Sequence, residues 1–211
     1  CAESNDCVAG AVAEFPERLT GLAMVPPLDD GATAEIGRCA DMGLAGIGEL
    51  QPEGQAFDIT DAAAMKPLAR AATEHDLPLL VHLNEPLGHA YPGKGAVGPR
   101  EGWLFARSFP ELKIVFAHWG GGLPFYELMP EVRADLKNVW YDCAAGPWLY
   151  EPRLYRLAIE MVGAEKLLFG SDFPLLSPER YLREIEQQGL DEGERRAILG
   201  GNAQKLLDRG A

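Results

Sequence analysis

The chain has 211 residues, of which 47% are hydrophobic and 24% charged, so it can supply both a buried core and a solvated surface. Its formal net charge of −13 argues against a nucleic-acid or anionic-membrane partner, because phosphate groups would be repelled over most of the exterior. No apolar run is long enough to span a bilayer. No linker or low-complexity segment divides the chain, which predicts one domain over residues 1–211.

Short apolar runs with the character of strands recur along the chain, with helix-like stretches between them. Starts roughly 24–34 residues apart fit one strand plus one crossover helix, the repeating unit of a parallel α/β sheet. The predicted strands cover residues 19–25, 44–50, 78–83, 112–118, 138–143 and 166–171.

The number of repeats predicts a (β/α)8 barrel from which two units are missing. A closed barrel of this kind usually takes about 250 residues, whereas six units are visible here and the chain opens on Cys1. A helix-like stretch at residues 6–15 precedes the first clear strand and resembles the middle of a unit. We therefore expect about two βα units upstream of Cys1.

Helix boundaries are marked by capping residues and glycines. Thr60 or Asp61 is the predicted cap of a helix that turns Met65, Leu68, Ala69 and Ala72 inward at helical spacing. Residues 191–207 predict a terminal helix pair broken at Gly200-Gly201, with inward positions at Ala197, Ile198, Leu206 and Leu207.

The cysteines predict a reducing compartment. None of the four forms a CxxC pair, and a chain of this size with so few cysteines is typical of a cytoplasmic protein with free thiols. A removed N-terminal targeting segment stays an open alternative. The cysteines are Cys1, Cys7, Cys39 and Cys143.

Three apolar runs each lead into a side chain that can bind a metal or transfer a proton. These side chains are His82, His118 and Asp172. The carboxyl ends of parallel strands meet at one edge of a sheet, so the three are expected at a shared metal site. Asp172 is the predicted carboxylate that takes a proton from water, and His118 the second catalytic group.

Structural readings of the same residues remain open. Either histidine can be a core residue, His82 by bonding a backbone carbonyl and His118 by occupying a plain strand-to-helix turn. Glycines at 120–122 would let the backbone approach a bound group and offer N–H donors to an anion. Glu49 also ends a predicted strand and is a candidate metal ligand, with a partner of a ligand or a charge that steers the next loop as the alternatives, whereas Asp142 favours a structural role.

A long polar loop over residues 84–95 follows His82 and is expected to determine substrate specificity. Lys94 and His89 in this loop, and Arg100 beyond it, are candidate ligands for a substrate carboxylate, with solvated positions as the alternative. Lys94 lies between glycines but lacks the spacing and the following Ser/Thr of a P-loop.

The motifs VHLNEPLGHAYPGKG, AHWGGGLPFY and LLFGSDFP, with PERLTGLAMVPP upstream and ILGGNAQKLL near the end, resemble amidohydrolase family 2. Its branch includes decarboxylases similar to aminocarboxymuconate semialdehyde and resorcylate decarboxylases, and lactonases similar to pyrone dicarboxylate lactonase. The resemblance covers residues 15–207. Each motif alone is weak, but the combination is specific.

The resemblance implies a distorted (β/α)8 barrel with a divalent metal, commonly zinc. It matches His82 to the strand-five metal histidine, His118 to the strand-six histidine that binds a second metal or activates water, and Asp172 to the strand-eight aspartate. The family's His-x-His pair has no counterpart among the four histidines, which are His75, His82, His89 and His118. A fragment of a longer protein is therefore expected, in preference to a metal-poor relative.

Three functions compete at this point. The first is hydrolysis of an amide, ester or lactone in a small, carboxylated substrate by metal-activated water. The second is non-oxidative decarboxylation of an unsaturated or aromatic acid with the same residues. The third is a non-catalytic barrel that serves as a binding or assembly partner. The substrate is expected to be a small molecule, and the protein is a possible homo-oligomer.

Overall fold

A computed structural model describes residues 1–208, in which six parallel strands form one sheet. Every predicted strand is confirmed, although each is shorter than its apolar run. The polar residues at the carboxyl ends leave the sheet to form the loops described below. The strands are β1 Leu22–Ala23, β2 Gly46–Leu50, β3 Leu79–Val81, β4 Ile114–Phe116, β5 Val139–Asp142 and β6 Leu167–Leu168.

Helices connect the strands and follow the last one. Three short segments of other helical type occur at His118–Gly122, Ala164–Lys166 and Ala197–Gly201. The α-helices are α1 Ala2–Glu14, α2 Ala32–Asp41, α3 Ala62–Glu74, α4 Pro99–Ser108, α5 Leu123–Tyr126, α6 Pro130–Asp135, α7 Gly146–Leu149, α8 Leu154–Val162, α9 Pro178–Glu186, α10 Glu192–Arg196 and α11 Asn202–Leu207.

The order of the strands in the sheet is their order in the chain, β1-β2-β3-β4-β5-β6. A doubly wound sheet reverses direction at a switch point, whereas this sheet never does. Successive parallel strands with crossovers in one sense are the construction of a barrel wall. The six strands therefore form an arc of a (β/α) barrel, as the sequence predicts.

The two faces of the arc are packed differently. Residues such as Leu79, Ile114 and Val139 face the helices and belong to the large buried core. The alternate residues Leu80, Val115 and Trp140 lie side by side on the other face, because strand side chains alternate. A smaller cluster there joins Val115 and Trp140 to Leu168 of β6, and to Leu206 and Ala203 of α11.

The predicted helix boundaries are largely confirmed. Asp61, not Thr60, caps α3, and its carboxylate accepts hydrogen bonds from the N–H groups of Ala63 and Ala64. Near the end of the chain, Gly200 has a φ of 155° between α10 and α11, so the helix pair breaks at the predicted glycines. Ile198 and Leu206 are buried there.

No α-helix within residues 1–208 has both the length and the apolar character needed to cross a bilayer. The four cysteines are free thiols, two of them exposed and two buried.

Candidate metal centre

The carboxyl ends of three neighbouring strands bring one carboxylate and two imidazoles together. Glu49 lies near the end of β2, His82 directly follows β3, and His118 lies two residues after β4. We call Glu49, His82 and His118 the His82 cluster. It borders a cavity of about 820 Å³ that His82 and His118 help to line.

The distances within the His82 cluster are short. Glu49 Oε1 lies 2.7 Å from His82 Nδ1 and 3.5 Å from His118 Nε2. The two imidazoles contact each other edge to face, with 3.2 Å between His82 Nδ1 and His118 Nε2. Three potential ligand atoms thus point at one another rather than at separate partners.

His118 owes its position to a left-handed turn. Residues 118–122 all have positive φ, including His118 at 57° and Trp119 at 58°. Such angles cost non-glycine residues about 1–2 kcal/mol each. At Gly121 a glycine is required, because a Cβ there would lie 2.3 Å from the carbonyl oxygen of Asn84. The glycine run thus lets this turn pack closely against the loop after β3.

The carboxylate of Asp142 fixes the start of this turn by hydrogen bonds to its backbone. Its Oδ1 accepts hydrogen bonds of 2.9 Å from the backbone N–H groups of His118 and Ala144. Burial raises the pKa of Asp142, although the neighbouring charge of His118 opposes that rise. These contacts give Asp142 the structural role that the sequence favoured, as a support for the His118 backbone.

The environment of His118 favours its charged form. Burial lowers the pKa of His118, but a hydrogen bond to Glu49 and the charges of Asp142 and Glu49 outweigh it and raise the pKa to about 9. His118 Nδ1–H also donates to the carbonyl oxygen of Ala144 at 3.1 Å. Burial likewise raises the pKa of Glu49, but hydrogen bonds to His118 and His82 dominate and lower it to about 2.

The His82 cluster fits a divalent cation. Its carboxylate oxygen and two imidazole nitrogens lie within 4.8 Å of one another. These ligand types suit zinc and related divalent metals. In the cation-free protein these atoms share protons, and a cation would replace them at the same three atoms.

Asp172 lines the same cavity but lies outside this group of ligand atoms. It follows β6 by four residues and is exposed, with a φ of 55° that only a minority of non-glycine residues adopt. Ser177 is the N-cap residue of α9, so Asp172 does not cap that helix. Its roles as metal ligand and catalytic residue stay predictions.

Of the predicted substrate ligands, the structure brings two to the cavity. His89 and Lys94 line it, and Lys94 Nζ donates to the carbonyl oxygens of Leu87 at 2.6 Å and His89 at 3.2 Å. Arg100 is not among the cavity-lining residues: it lies at the start of α4, 75% exposed, and pairs with Glu101.

Other cavity residues were not singled out from the sequence. They come from α7 and from the loops after β2, β3 and β6, and they are Gln51, Glu53, Tyr91, Trp148, Leu149 and Leu175. Each lies on a segment that leaves the sheet at a strand's carboxyl end. That position was a usable signal, but only Glu53 and Tyr91 among them carry acid–base groups, and neither ends an apolar run.

A wall of parallel strands in sequential order, with a convergent carboxylate and imidazoles at its carboxyl ends, defines a (β/α) barrel protein with a candidate divalent-metal centre. The chain belongs to the amidohydrolase family, whose model matches residues 1–209. This confirms the resemblance read from the strand-end motifs.

Known proteins of similar sequence include two decarboxylases. The chain is 27% identical to gamma-resorcylate decarboxylase of Polaromonas sp. (strain JS666), covering 97% of this chain and 74% of that protein. It is 27% identical to decarboxylase orsB of Emericella nidulans, covering 98% and 76%. A solved dihydroxybenzoic acid decarboxylase from Polaromonas sp. JS666, with bound manganese and the inhibitor 2-nitroresorcinol, has a TM-score of 0.79 and 23% identity over 98% of this chain and 74% of that one.

These comparisons correct the leading expectation. Hydrolysis of an amide, ester or lactone is wrong as the main reading, because both relatives described above are named decarboxylases. The error has a chemical origin, since a metal, a histidine and a carboxylate serve either reaction. Membership of an enzyme family also speaks against a non-catalytic barrel. The solved structure supports the barrel fold and carries manganese, so zinc is not singled out.

Proposed function

We propose that this protein is a metal-dependent, non-oxidative decarboxylase of a small aromatic or unsaturated carboxylic acid. The observation that carries the proposal is the convergence of Glu49, His82 and His118 beside a cavity at the carboxyl ends of the strands. The relatives named as decarboxylases favour this chemistry over hydrolysis.

The cavity suits a small acid with an apolar body. Its volume of about 820 Å³ is within the range of small-molecule sites. Trp148, Leu149 and Leu175 offer apolar surface, and Trp148 is 48% exposed and therefore free to stack on a ring. Lys94 and His89 would contribute positive charge or hydrogen bonds to a substrate anion, as the loop sequence suggested.

Glu49 and His82 would hold the cation through Oε1 and Nδ1, and Asp172 is the proposed further ligand from the cavity wall. When bound, a divalent cation would orient the substrate carboxylate and neutralise part of its charge. Zinc, from the family resemblance, and manganese, from the solved relative, are the two cations to test.

His118 is the proposed acid. In the cation-free protein, the hydrogen bond to Glu49 and the charges of Asp142 and Glu49 overcome burial and raise the pKa of His118 to about 9. With a cation on Glu49, the Asp142 charge and the carbonyl oxygen of Ala144 would still favour a proton on the imidazole. Transfer of that proton to the carbon that bears the carboxylate forms a C–H bond. The C–C bond then breaks, its electron pair returns to the substrate, and CO₂ leaves. The neutral His118 regains a proton from solvent, so the cycle consumes one proton per CO₂.

The test is a panel of hydroxylated benzoic acids and unsaturated diacids, incubated with Zn²⁺ or Mn²⁺. Release of CO₂ is followed together with the decarboxylated product. We expect one CO₂ for each product molecule and one solvent deuterium in the new C–H bond when the reaction is run in D₂O. Ester and lactone substrates serve as the comparison, and turnover of those alone, without CO₂, would refute the proposal.

A further inference from the structure

The loop between β3 and α4 is closed on itself by hydrogen bonds at its base. We call residues 85–97 the strap. Asn84, immediately before it, donates its backbone N–H to the carbonyl oxygen of Val97 at 2.9 Å. Its side-chain Oδ1 accepts the N–H of Gly95, also at 2.9 Å. The strap carries His89, Tyr91 and Lys94, which line the cavity.

Asn84 also contacts the His82 cluster. It is only 1% exposed, and its Oδ1 lies 3.3 Å from His82 Nε2. One oxygen atom therefore faces both an N–H group of the strap and the imidazole proposed to hold the cation.

The backbone determines which way the Asn84 amide points. The N–H of Gly95 can only donate, so the side-chain oxygen must face it, while Nδ2 faces the carbonyl oxygen of Val97 at 3.4 Å. The neighbouring His82 Nε2 must then carry a hydrogen to bond the same oxygen. In the cation-free protein a proton bridges His82 Nδ1 and Glu49 Oε1, which lie 2.7 Å apart. A cation bound at Nδ1 would replace that proton, and neutral His82 would then carry its hydrogen on Nε2, facing Asn84.

We propose that Asn84 is a positioning residue that selects the His82 tautomer able to bind a divalent cation and couples that cation to the strap. The inference rests on the proposed function, since it requires a cation at His82 Nδ1. Outer partners of this kind orient a metal-binding histidine and raise its basicity.

The coupling follows from the shared oxygen. Coordination at Nδ1 withdraws electron density from the ring and makes Nε2–H a stronger donor to Asn84 Oδ1. The side chain is then held more firmly, and with it the acceptor of the Gly95 N–H. We expect cation binding to slow hydrogen exchange at Gly95.

A second anchor offers a matched control. Glu53 Oε1 accepts the N–H groups of Ala96 at 2.5 Å and Val97 at 2.8 Å, and Glu53 lies outside the group of candidate ligand atoms. Glu53→Gln weakens the strap without touching His82. It should speed exchange at Ala96 and Val97 while leaving Zn²⁺ affinity unchanged.

The experiment measures Zn²⁺ affinity by competition with a chelating dye, and amide exchange by NMR with and without Zn²⁺. Asn84→Ala should weaken Zn²⁺ binding by roughly 10–100-fold, the usual effect of losing an outer partner. It should also abolish the Zn²⁺-dependent slowing at Gly95. Asn84→Asp keeps an acceptor oxygen and should restore most of the affinity, which separates tautomer control from a general loss of fold.

The outcomes distinguish this inference from the function beneath it. The role of Asn84 is overturned if Asn84→Ala and Asn84→Asp bind Zn²⁺ as the unmodified protein does, or if Zn²⁺ does not change the amide exchange rate at Gly95. In either case the decarboxylase proposal stands. If the unmodified protein binds neither Zn²⁺ nor Mn²⁺, the cation centre is overturned and this inference falls with it. Wild-type binding with CO₂ release in the substrate panel supports the function independently of Asn84.

Discussion

Two buried polar clusters in this molecule use similar groups to opposite effect. In the first, which we call the Glu127 cluster, Lys166 Nζ donates to both carboxylate oxygens of Glu127 at 2.6 and 2.7 Å and to the carbonyl oxygen of Leu136 at 2.9 Å. Tyr141 donates its hydroxyl to Glu127 at 2.6 Å. In the second, the His82 cluster, the carboxylate of Glu49 converges with the imidazoles of His82 and His118.

The difference lies in how well each group is satisfied. The Glu127 side chain is 1% exposed and every charge has its opposite, so nothing is left for a ligand. The side chains of His82 and Glu49 are 19% and 25% exposed beside a cavity, and their ligand atoms point at each other. A satisfied cluster stabilises the fold, whereas a convergent, partly open one is suited to receive a cation.

The largest expected effect is catalytic and belongs to the His82 cluster. His118→Asn removes the proposed acid, so CO₂ release should fall by roughly 10²–10⁴-fold. The same substitution at His75, which lies at the C-terminal end of α3 outside the cavity, should leave turnover unchanged. Equal turnover in the His118 and His75 variants would remove His118 from the mechanism.

The second-largest expected effect is a loss of unfolding free energy, and it concerns the Glu127 cluster. Glu127→Gln leaves the ammonium of Lys166 buried without its counter-charge, which typically costs about 3–5 kcal/mol. Denaturant unfolding should reveal that loss, while Zn²⁺ affinity of the folded protein stays the same. A variant as stable as the unmodified protein would show that this ion pair does not support the fold.

The matched substitution in the His82 cluster should reverse the pattern. Glu49→Gln removes a charged ligand, so Zn²⁺ affinity should fall by at least the roughly 10–100-fold seen for outer-partner losses. The metal-free protein should lose less stability than Glu127→Gln does, because Glu49 is 25% exposed beside the cavity and its partner His118 can release its proton once the carboxylate is gone. Unchanged affinity would move the cation away from Glu49.

The smallest expected effect concerns a second satisfied cluster, between α1 and α2. Glu35 accepts hydrogen bonds from Arg38 and Asn5, and these lower its pKa from 4.5 to about 2. Because the folded pKa is the lower one, the stabilisation is present above pH 4.5 and is lost as the pH falls towards 2.

Unfolding free energies measured across that pH range should therefore fall more steeply for the unmodified protein than for Glu35→Gln. Glu3→Gln, at an exposed position of α1, is the control and should keep the steeper slope. Parallel slopes for all three proteins would assign the acid sensitivity to other groups.

Much of the barrel could be read directly from the chain. Most strand residues are apolar and buried, and such runs stand out between turn residues whatever their neighbours are. The strand ends were overestimated because hydrophobicity continues past the last ladder hydrogen bond, as at Ala117 before the left-handed turn of His118.

The site was predicted in part for a similar reason. His82 and His118 could be predicted as site residues because each closely follows a buried strand, and Glu49 lies near the end of the neighbouring strand. Arg100 was placed near the substrate by its position in the sequence, but the first turn of α4 carries it into solvent. Asn84 drew no attention, since an asparagine at the start of a loop is an ordinary turn residue.

The amino-acid sequence by itself determined the parallel βα order, the apolar strands and the imidazoles and carboxylates at their ends, because these follow from local composition and spacing. Only the tertiary structure decided which of those groups meet. The contacts of Glu49 with His82 and of Asn84 with Gly95 span 33 and 11 residues of sequence. Their geometry depends on the register of neighbouring strands and on the path of the strap, which arise from packing of the whole sheet rather than from any one segment.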